Sequence, residues 1–181
     1  MAKELNGWDV QAMNDAVAGV KENPAAGRLT WRGRVTWDGG FGLDVHTRTI
    51  EQLGQVMDRH FTLRGDHPPE LLGRNTGPTA IETGLAALGA CMAGTFAAQA
   101  TARGIGLDQL DVELQGEIDL NGFFGLQPVT PALSDVTLVF RVRSDADDRA
   151  LHDLLAAAEA HSPIFNTMTQ PVRVQSTVTR V

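Results

Sequence analysis

The most reactive side chain type in this sequence occurs once, at Cys91. A cysteine thiol ionises to a thiolate, which is a nucleophile and is readily oxidised, so Cys91 is the first candidate for a catalytic group. The alternative is that Cys91 is a small buried hydrophobe, as free cysteines often are. A single cysteine forms no disulfide within the chain, which agrees with a reducing compartment. Position alone leaves both roles of Cys91 open.

The serine, lysine and histidine residues do not have the spacing of a known catalytic or metal-binding motif. The sequence has no G-x-S-x-G turn, which argues against a Ser-His-Asp hydrolase. Only two lysines are present, which argues against Schiff-base chemistry. No two histidines have the HExxH or paired spacing of a metal site, so we predict neither a metal nor another cofactor. The histidines are His46, His60, His67, His152 and His161.

The charge pattern excludes some classes of partner. The 15 basic and 22 acidic residues give a net charge of -7, and the basic residues form no run, which argues against nucleic acid. The first twenty residues contain acids and lack a continuous apolar core, so we expect no secretory signal and a cytoplasmic protein. With 181 residues, of which 43% are hydrophobic, the chain is typical of a globular protein.

The elements that must position Cys91 can be read from apolar spacing. A helical period predicts a helix over Asp9–Val20, ending before Asn23-Pro24. Alternating patterns predict strands over Arg28–Trp37 and Leu43–His46, paired as a hairpin, with a third extended stretch over Arg59–Arg64. A proline-containing loop follows this stretch.

Cys91 itself lies in a segment with the signature of a long helix. Thr79 and Glu82 form a capping box, and Gly104 ends the pattern, which predicts a helix to about Arg103. The many alanines and glycines let other backbones approach closely, so we predict a buried central helix. Small residues contribute little transfer free energy, so we do not expect a membrane span.

In the C-terminal part, apolar spacing and capping residues predict two more strands, a helix, a short helix and a last strand. A Gly/Pro-rich loop separates the first two strands, Ser144 is the predicted N-cap of the helix, and Ser162 that of the short helix. In chain order these elements are Leu110–Leu120, Val136–Arg143, the helix ending near His161, the helix starting at Pro163, and Val172–Val178.

The segment Pro78–Cys91, PTAIETGLAALGAC, resembles the OsmC/Ohr family. The central helix of that family opens near a proline, carries a glutamate in its first turn and reaches a reactive cysteine through a Leu/Ala/Gly-rich run. A strand hairpin before the helix, the loop PPELLG at Pro68–Gly73 and the turn SPIFNTM at Ser162–Met168 extend the likeness. It covers the chain from Arg28 onward, so we predict an N-terminal helical extension over 1–27 and an OsmC-like domain over 28–181.

The resemblance implies an α+β fold in which an antiparallel sheet packs with a long central helix carrying Cys91, as an intertwined homodimer. In peroxidatic members, a cysteine thiolate attacks an organic hydroperoxide, and an arginine and a glutamate hold the thiolate charged. A second cysteine then resolves the sulfenic acid to a disulfide. By this likeness Cys91 is the attacking residue and Glu82 the glutamate.

Two positions depart from the family pattern. Ser162 stands where the resolving cysteine is usual, and the hairpin turn Asp38–Gly42 lacks the family's arginine. Some of the arginines flanking this turn could reach the pocket, but we expect most of them to be solvated or salt-bridged; they are Arg28, Arg32, Arg34 and Arg48.

Two hypotheses about function follow. The first is a one-cysteine peroxidase that reduces organic hydroperoxides through Cys91 and is recycled by an external thiol. The second is a non-catalytic dimer that binds a small apolar ligand, with Cys91 structural.

Overall fold

The computed structural model describes residues 4–181. These residues form two compact units, the first ending at Gly84 and the second spanning Leu85–Val181. Both units contain helices and antiparallel strands, in agreement with the predicted α+β class. The domain boundary between residues 27 and 28 stays a prediction.

The first unit begins with a small hairpin and a helix. Strands β1 (Glu4–Leu5) and β2 (Trp8–Asp9) pair antiparallel and were not predicted. Helix α1 (Val10–Glu22) starts where the Asp9 carboxylate accepts hydrogen bonds from two amides of the first turn. The predicted helix over Asp9–Val20 is therefore confirmed, with two more residues at its C-terminal end.

A four-stranded antiparallel sheet forms most of the first unit. Strand β4 is its centre and pairs with each of the other three strands. The predicted hairpin is confirmed, the extended stretch is shifted toward Gly65, and β5 was not predicted. The strands are β3 (Leu29–Trp37), β4 (Leu43–Gln52), β5 (Gln55–Asp58) and β6 (Thr62–Gly65).

The second unit contains a hairpin and four helices. Its largest element, α2 (Ala80–Ala102), has its first turn in the first unit. Strands β7 and β8 pair antiparallel, and a short helix follows β7. The elements are β7 (Gln109–Glu117), α3 (Leu120–Phe123), β8 (Ser134–Arg143), α4 (Asp148–His161) and α5 (Pro163–Thr169).

The core of the second unit lies where α2 and α4 meet the hairpin. The fully buried side chains come from the two helices, and alternate residues of β8 pack against them. In the single chain only one stripe of α2 is buried. The buried core residues are Leu88, Met92, Phe96, Ala100, Leu154 and Ala158.

By length and composition, α2 could cross a membrane, contrary to the prediction from its small residues. Leucine, methionine and phenylalanine at spaced positions supply the apolarity that the alanines lack. The same residues form the core of the second unit, which is the environment of a core helix in a globular fold.

The predicted N-cap Ser144 is wrong, because α4 begins one turn later. The Ser144 hydroxyl donates to the Gly106 carbonyl at 2.6 Å, and Asp147 caps the helix by accepting from the Ala150 amide at 2.8 Å. Both residue types are good N-caps, so sequence alone does not choose between them.

The predicted strand over Val172–Val178 is also wrong. Residues 171–181 form no regular secondary structure, and Val174 and Val178 are 80% and 98% exposed. A strand requires a hydrogen-bonded neighbour. Within the described part of the chain, this segment pairs with none.

Candidate functional site

Cys91 lies in the middle of α2, one residue before the buried Met92. The capping box starts this helix as predicted: the Glu82 amide donates to the Thr79 hydroxyl at 3.1 Å, and the Thr79 amide donates to the Glu82 carboxylate at 2.7 Å. Cys91 itself is half-buried. Its thiol therefore lies at the edge of the packed core and is not sealed inside it.

The structure brings Cys91 and Ser162 together. The Ser162 hydroxyl lies 3.2 Å from the Cys91 sulfur and donates a hydrogen bond to it. Ser162 is fully buried and is the N-cap of α5, as predicted, with its oxygen accepting from the Phe165 amide at 3.4 Å. Two residues far apart in sequence thus form a thiol–hydroxyl pair.

The backbone of Ser162 is held on both sides. Its amide donates to the Ala158 carbonyl at 2.8 Å, and its carbonyl accepts from the Asn166 amide at 3.0 Å. The Asn166 side chain donates to the same carbonyl and to that of Glu159, each at 2.9 Å. The junction between α4 and α5 therefore fixes the hydroxyl that faces the thiol.

Glu82 is held at the start of α2. Its hydrogen bonds with the Thr79 amide and hydroxyl hold the pKa of the Glu82 carboxyl below its usual range, and His67 adds a smaller effect of the same sign. Glu82 is therefore a carboxylate at neutral pH. Its partnership with the Cys91 thiol stays a prediction.

Two arginines that were not predicted as site residues lie at the β3–β4 turn. Arg64 and Arg74 both bind the Asp38 carboxylate, at 2.6 and 3.1 Å, and Arg64 also binds Asp44 at 3.1 Å. The two guanidinium groups hold the pKa of Asp38 below its usual range. A side chain at Gly42 would overlap both guanidinium groups, so their approach depends on glycine at this position.

Of the flanking arginines that we expected to be solvated or paired, Arg32 binds Glu51 at 3.0 Å. Both side chains of this pair are exposed, so it contributes little to stability.

A buried carboxylate, Asp66, organises the loop that contains the PPELLG sequence. It accepts hydrogen bonds from the Thr76 hydroxyl at 2.6 Å and from the backbone amides of His67, Arg74 and Thr76. The Thr76 bond, followed by these amides, holds the pKa of Asp66 well below its usual range despite burial. The segment was predicted only as a loop, and its backbone is in fact closed around the Asp66 carboxylate.

Within residues 4–181, no three His, Cys, Asp or Glu side chains converge as metal ligands would. The second unit does contain an open cavity of about 230 Å³ with both apolar and polar lining. Its lining residues are Phe96, Phe140, Val142, Asp148, Leu151, His152 and Leu155.

The family model described as OsmC-like protein matches residues 73–177, which is more than half of the chain. No curated protein sequence matches the chain significantly. The sequence evidence for family membership is therefore the match to the family model.

Several solved structures have a similar fold. An OsmC-like protein from Mycoplasma pneumoniae matches with a TM-score of 0.61 and 16% identity, over 77% of this chain and 87% of that one. An OsmC-like protein of unknown function from Vibrio cholerae matches with a TM-score of 0.54 and 15% identity, over 76% and 92%.

A second Vibrio cholerae protein, described as a candidate organic hydroperoxide resistance protein with captopril in one of its active sites, matches with a TM-score of 0.50. Its identity is 16%, over 75% of this chain and 82% of that one. At these identities the structures confirm the fold, and with the family model they bear out the resemblance found in the sequence.

Proposed function

Because the chain belongs to the OsmC-like family, we propose that it is a one-cysteine, thiol-dependent peroxidase that reduces organic hydroperoxides at Cys91. The observation that carries the proposal is a half-buried thiol with a buried hydroxyl donor 3.2 Å from its sulfur. The Vibrio cholerae structure described as a candidate organic hydroperoxide resistance protein supports this class of substrate.

The proposed first step oxidises Cys91. Its thiolate attacks the terminal oxygen of the hydroperoxide, the O–O bond breaks, and the alkoxide takes a proton to leave as an alcohol. The cysteine becomes a sulfenic acid. Hydrogen-bond donation from Ser162 supports the charged thiolate that this step requires.

The second step needs a co-reactant, because Ser162 forms no disulfide with Cys91. We propose an external thiol, which attacks the sulfenic sulfur, releases water and leaves a mixed disulfide. A second thiol then displaces Cys91 as the thiolate and forms the disulfide of the reductant.

We propose that Glu82 is the acidic residue that, together with an arginine, keeps the Cys91 thiolate charged. A carboxylate alone would oppose a neighbouring thiolate, so Glu82 would act through that arginine, and its lowered pKa keeps the carboxylate charged for such an ion pair. The arginine is not assigned.

We further propose that the protein is a cytoplasmic homodimer. Every residue of β3 is exposed in the single chain, including Trp31 at 67% and Trp37 at 71%. Large apolar side chains exposed along a strand favour burial against another chain. Light scattering that gives the monomer mass of 19.4 kDa would reject the homodimer.

A second candidate function is binding of a small apolar ligand without turnover. The cavity of about 230 Å³, lined mainly by Phe96, Phe140, Val142, Leu151 and Leu155, favours it. Native mass spectrometry of freshly purified protein distinguishes the two functions. A retained ligand together with an unreactive thiol supports binding, whereas an empty protein with a rapidly oxidised Cys91 supports the peroxidase.

The decisive experiment measures consumption of cumene hydroperoxide with a dithiol as reductant. We expect turnover by the parent protein, none by Cys91→Ser, and parental turnover by Asp147→Ala, which alters a helix cap in the same unit. A parent protein that consumes no more hydroperoxide than Cys91→Ser would exclude the peroxidase.

A further inference from the structure

Ser162 does more than end one helix and begin the next. We infer that Ser162 is a positioning residue for Cys91, whose hydroxyl proton is directed at the sulfur and stabilises the reactive thiolate. This inference rests on the proposed function, because it concerns the thiolate that attacks the hydroperoxide.

The hydrogen bonds around the Ser162 oxygen leave its proton available to the Cys91 sulfur. A serine hydroxyl has one proton to donate and two lone pairs that accept. The Phe165 amide donates to one lone pair, so the proton is free to point elsewhere, and the Cys91 sulfur is 3.2 Å away. A thiolate only accepts hydrogen bonds, so this orientation of the hydroxyl matches a charged sulfur.

Burial makes the hydroxyl–sulfur bond effective. Ser162 has no exposed surface, so bulk water does not compete for its proton. Hydrogen bonds to a charged partner are about twice as strong as neutral ones, and low local polarity strengthens them further. The contact therefore becomes stronger whenever the sulfur carries charge.

The donor is also held in place before Cys91 ionises. Bonds from the Ser162 amide to Ala158 and from Asn166 to the Ser162 carbonyl fix its backbone, so little ordering remains to be done. A group fixed in advance stabilises charge without reorganisation when the charge appears.

Oxidation changes Cys91 but leaves this donor intact. A hydroxyl does not condense with a sulfenic acid, so the oxidised sulfur stays beside Ser162 and remains open to an external thiol. Serine at this position therefore separates two tasks: activation of Cys91 stays within the chain, and reduction comes from outside.

The test compares rates of Cys91 alkylation by iodoacetamide in the parent, Ser162→Ala and Ser162→Gly. At about pH 7 we expect alkylation of both variants to be about tenfold slower, since a hydrogen bond to a charged group is lost. At about pH 10.5, where thiols are largely ionised, we expect the rates to converge. Ser162→Thr, which keeps the hydroxyl, should restore the parental rate.

Two controls separate positioning from folding. Asp147→Ala removes the N-cap of α4 without touching Cys91, so its alkylation should match the parent. Glycine is a good N-cap, so Ser162→Gly retains the fold if alanine does not. The charged side chains at this end of α4, Glu159 and His161, are exposed and common to all variants.

Equal alkylation rates of the parent and folded Ser162→Gly at about pH 7 would overturn the inference. It would also be overturned if Ser162→Gly were slower than the parent by the same factor at about pH 10.5 as at about pH 7. Hydroperoxide consumption is scored separately. A parent protein whose alkylation depends on Ser162 but which consumes no hydroperoxide refutes the proposed function and leaves the positioning role standing.

Discussion

The Thr76 hydroxyl donates a 2.6 Å hydrogen bond to the Asp66 carboxylate, and Asp66 is only 1% exposed. Three backbone amides, those of His67, Arg74 and Thr76, point at the same carboxylate. The loop between β6 and α2 is thus closed around a single negative charge, which makes its stability depend on pH.

We expect acid to weaken this loop. The pKa of Asp66 is lowered in the folded protein, so its stabilising contribution is complete above the unfolded value of about 4 and is lost as pH falls below it. Asp66→Asn should therefore be less stable than the parent at neutral pH, and the difference in unfolding free energy should shrink on acidification. Urea unfolding over a series of pH values measures this. Asp153→Asn, on the exposed surface of α4, is the control. If the difference in unfolding free energy between the parent and Asp66→Asn stays constant with pH, the prediction is contradicted.

Ser162→Cys should convert the site into a disulfide-forming pair. The present oxygen–sulfur distance of 3.2 Å is close enough for small movements to reach the S–S bond length of about 2.0 Å. After one equivalent of hydroperoxide, we expect both free thiols of Ser162→Cys to disappear in a thiol titration under non-reducing conditions. Treatment with diamide is the parallel arm. A disulfide with diamide but not with hydroperoxide would argue against a peroxidatic Cys91, and none with either would argue against the geometry.

Glu82→Gln tests whether the charge of Glu82 matters to Cys91. Glutamine serves in a capping box as glutamate does, so helix α2 and the unfolding free energy should change little. If Glu82 helps to hold the thiolate charged, hydroperoxide consumption should fall by about tenfold. Circular dichroism checks the helix in the same samples. Parental turnover would assign Glu82 to the helix cap alone.

Two glycines of the first unit should respond to alanine in opposite directions. A side chain at Gly73 would overlap the backbone carbonyl of His67, which cannot move without opening the loop, so Gly73→Ala should cost about 1–3 kcal/mol. Gly19 lies within α1 with open space around it, so Gly19→Ala should add about 0.5–1 kcal/mol. Urea unfolding gives both values, and equal stabilities would contradict the described packing.

The parts of the fold that sequence predicted well are those determined by neighbouring residues. The Thr79–Glu82 capping box and the β3–β4 hairpin are local, and both are confirmed. The start of α4 was wrong because Ser144 bonds to the distant Gly106 carbonyl, and no local pattern reports that contact.

In the candidate site, too, contacts between distant residues could not be predicted from local sequence patterns. The likeness to a known family pointed to Cys91 and Ser162 before any distance was known. The approach of Arg64 and Arg74 to Asp38 depends on how loops cross, and the charges involved are separated by more than twenty residues of sequence. Spacing arguments reach only within one element, so these partners were found only in the structure.

Strand β3 also bears on how this protein avoids aggregation. In the described part of the chain it pairs only with β4, which leaves the backbone groups of its other edge without a strand partner. Such an edge is a template for indiscriminate strand addition. Charged Arg32 and Arg34 lie on this strand, and the register breaks between Arg32 and Gly33. Natural sheets use charges and bulges on edge strands to discourage pairing with other chains. The arginines and the bulge of β3 therefore protect this edge from non-specific strand addition.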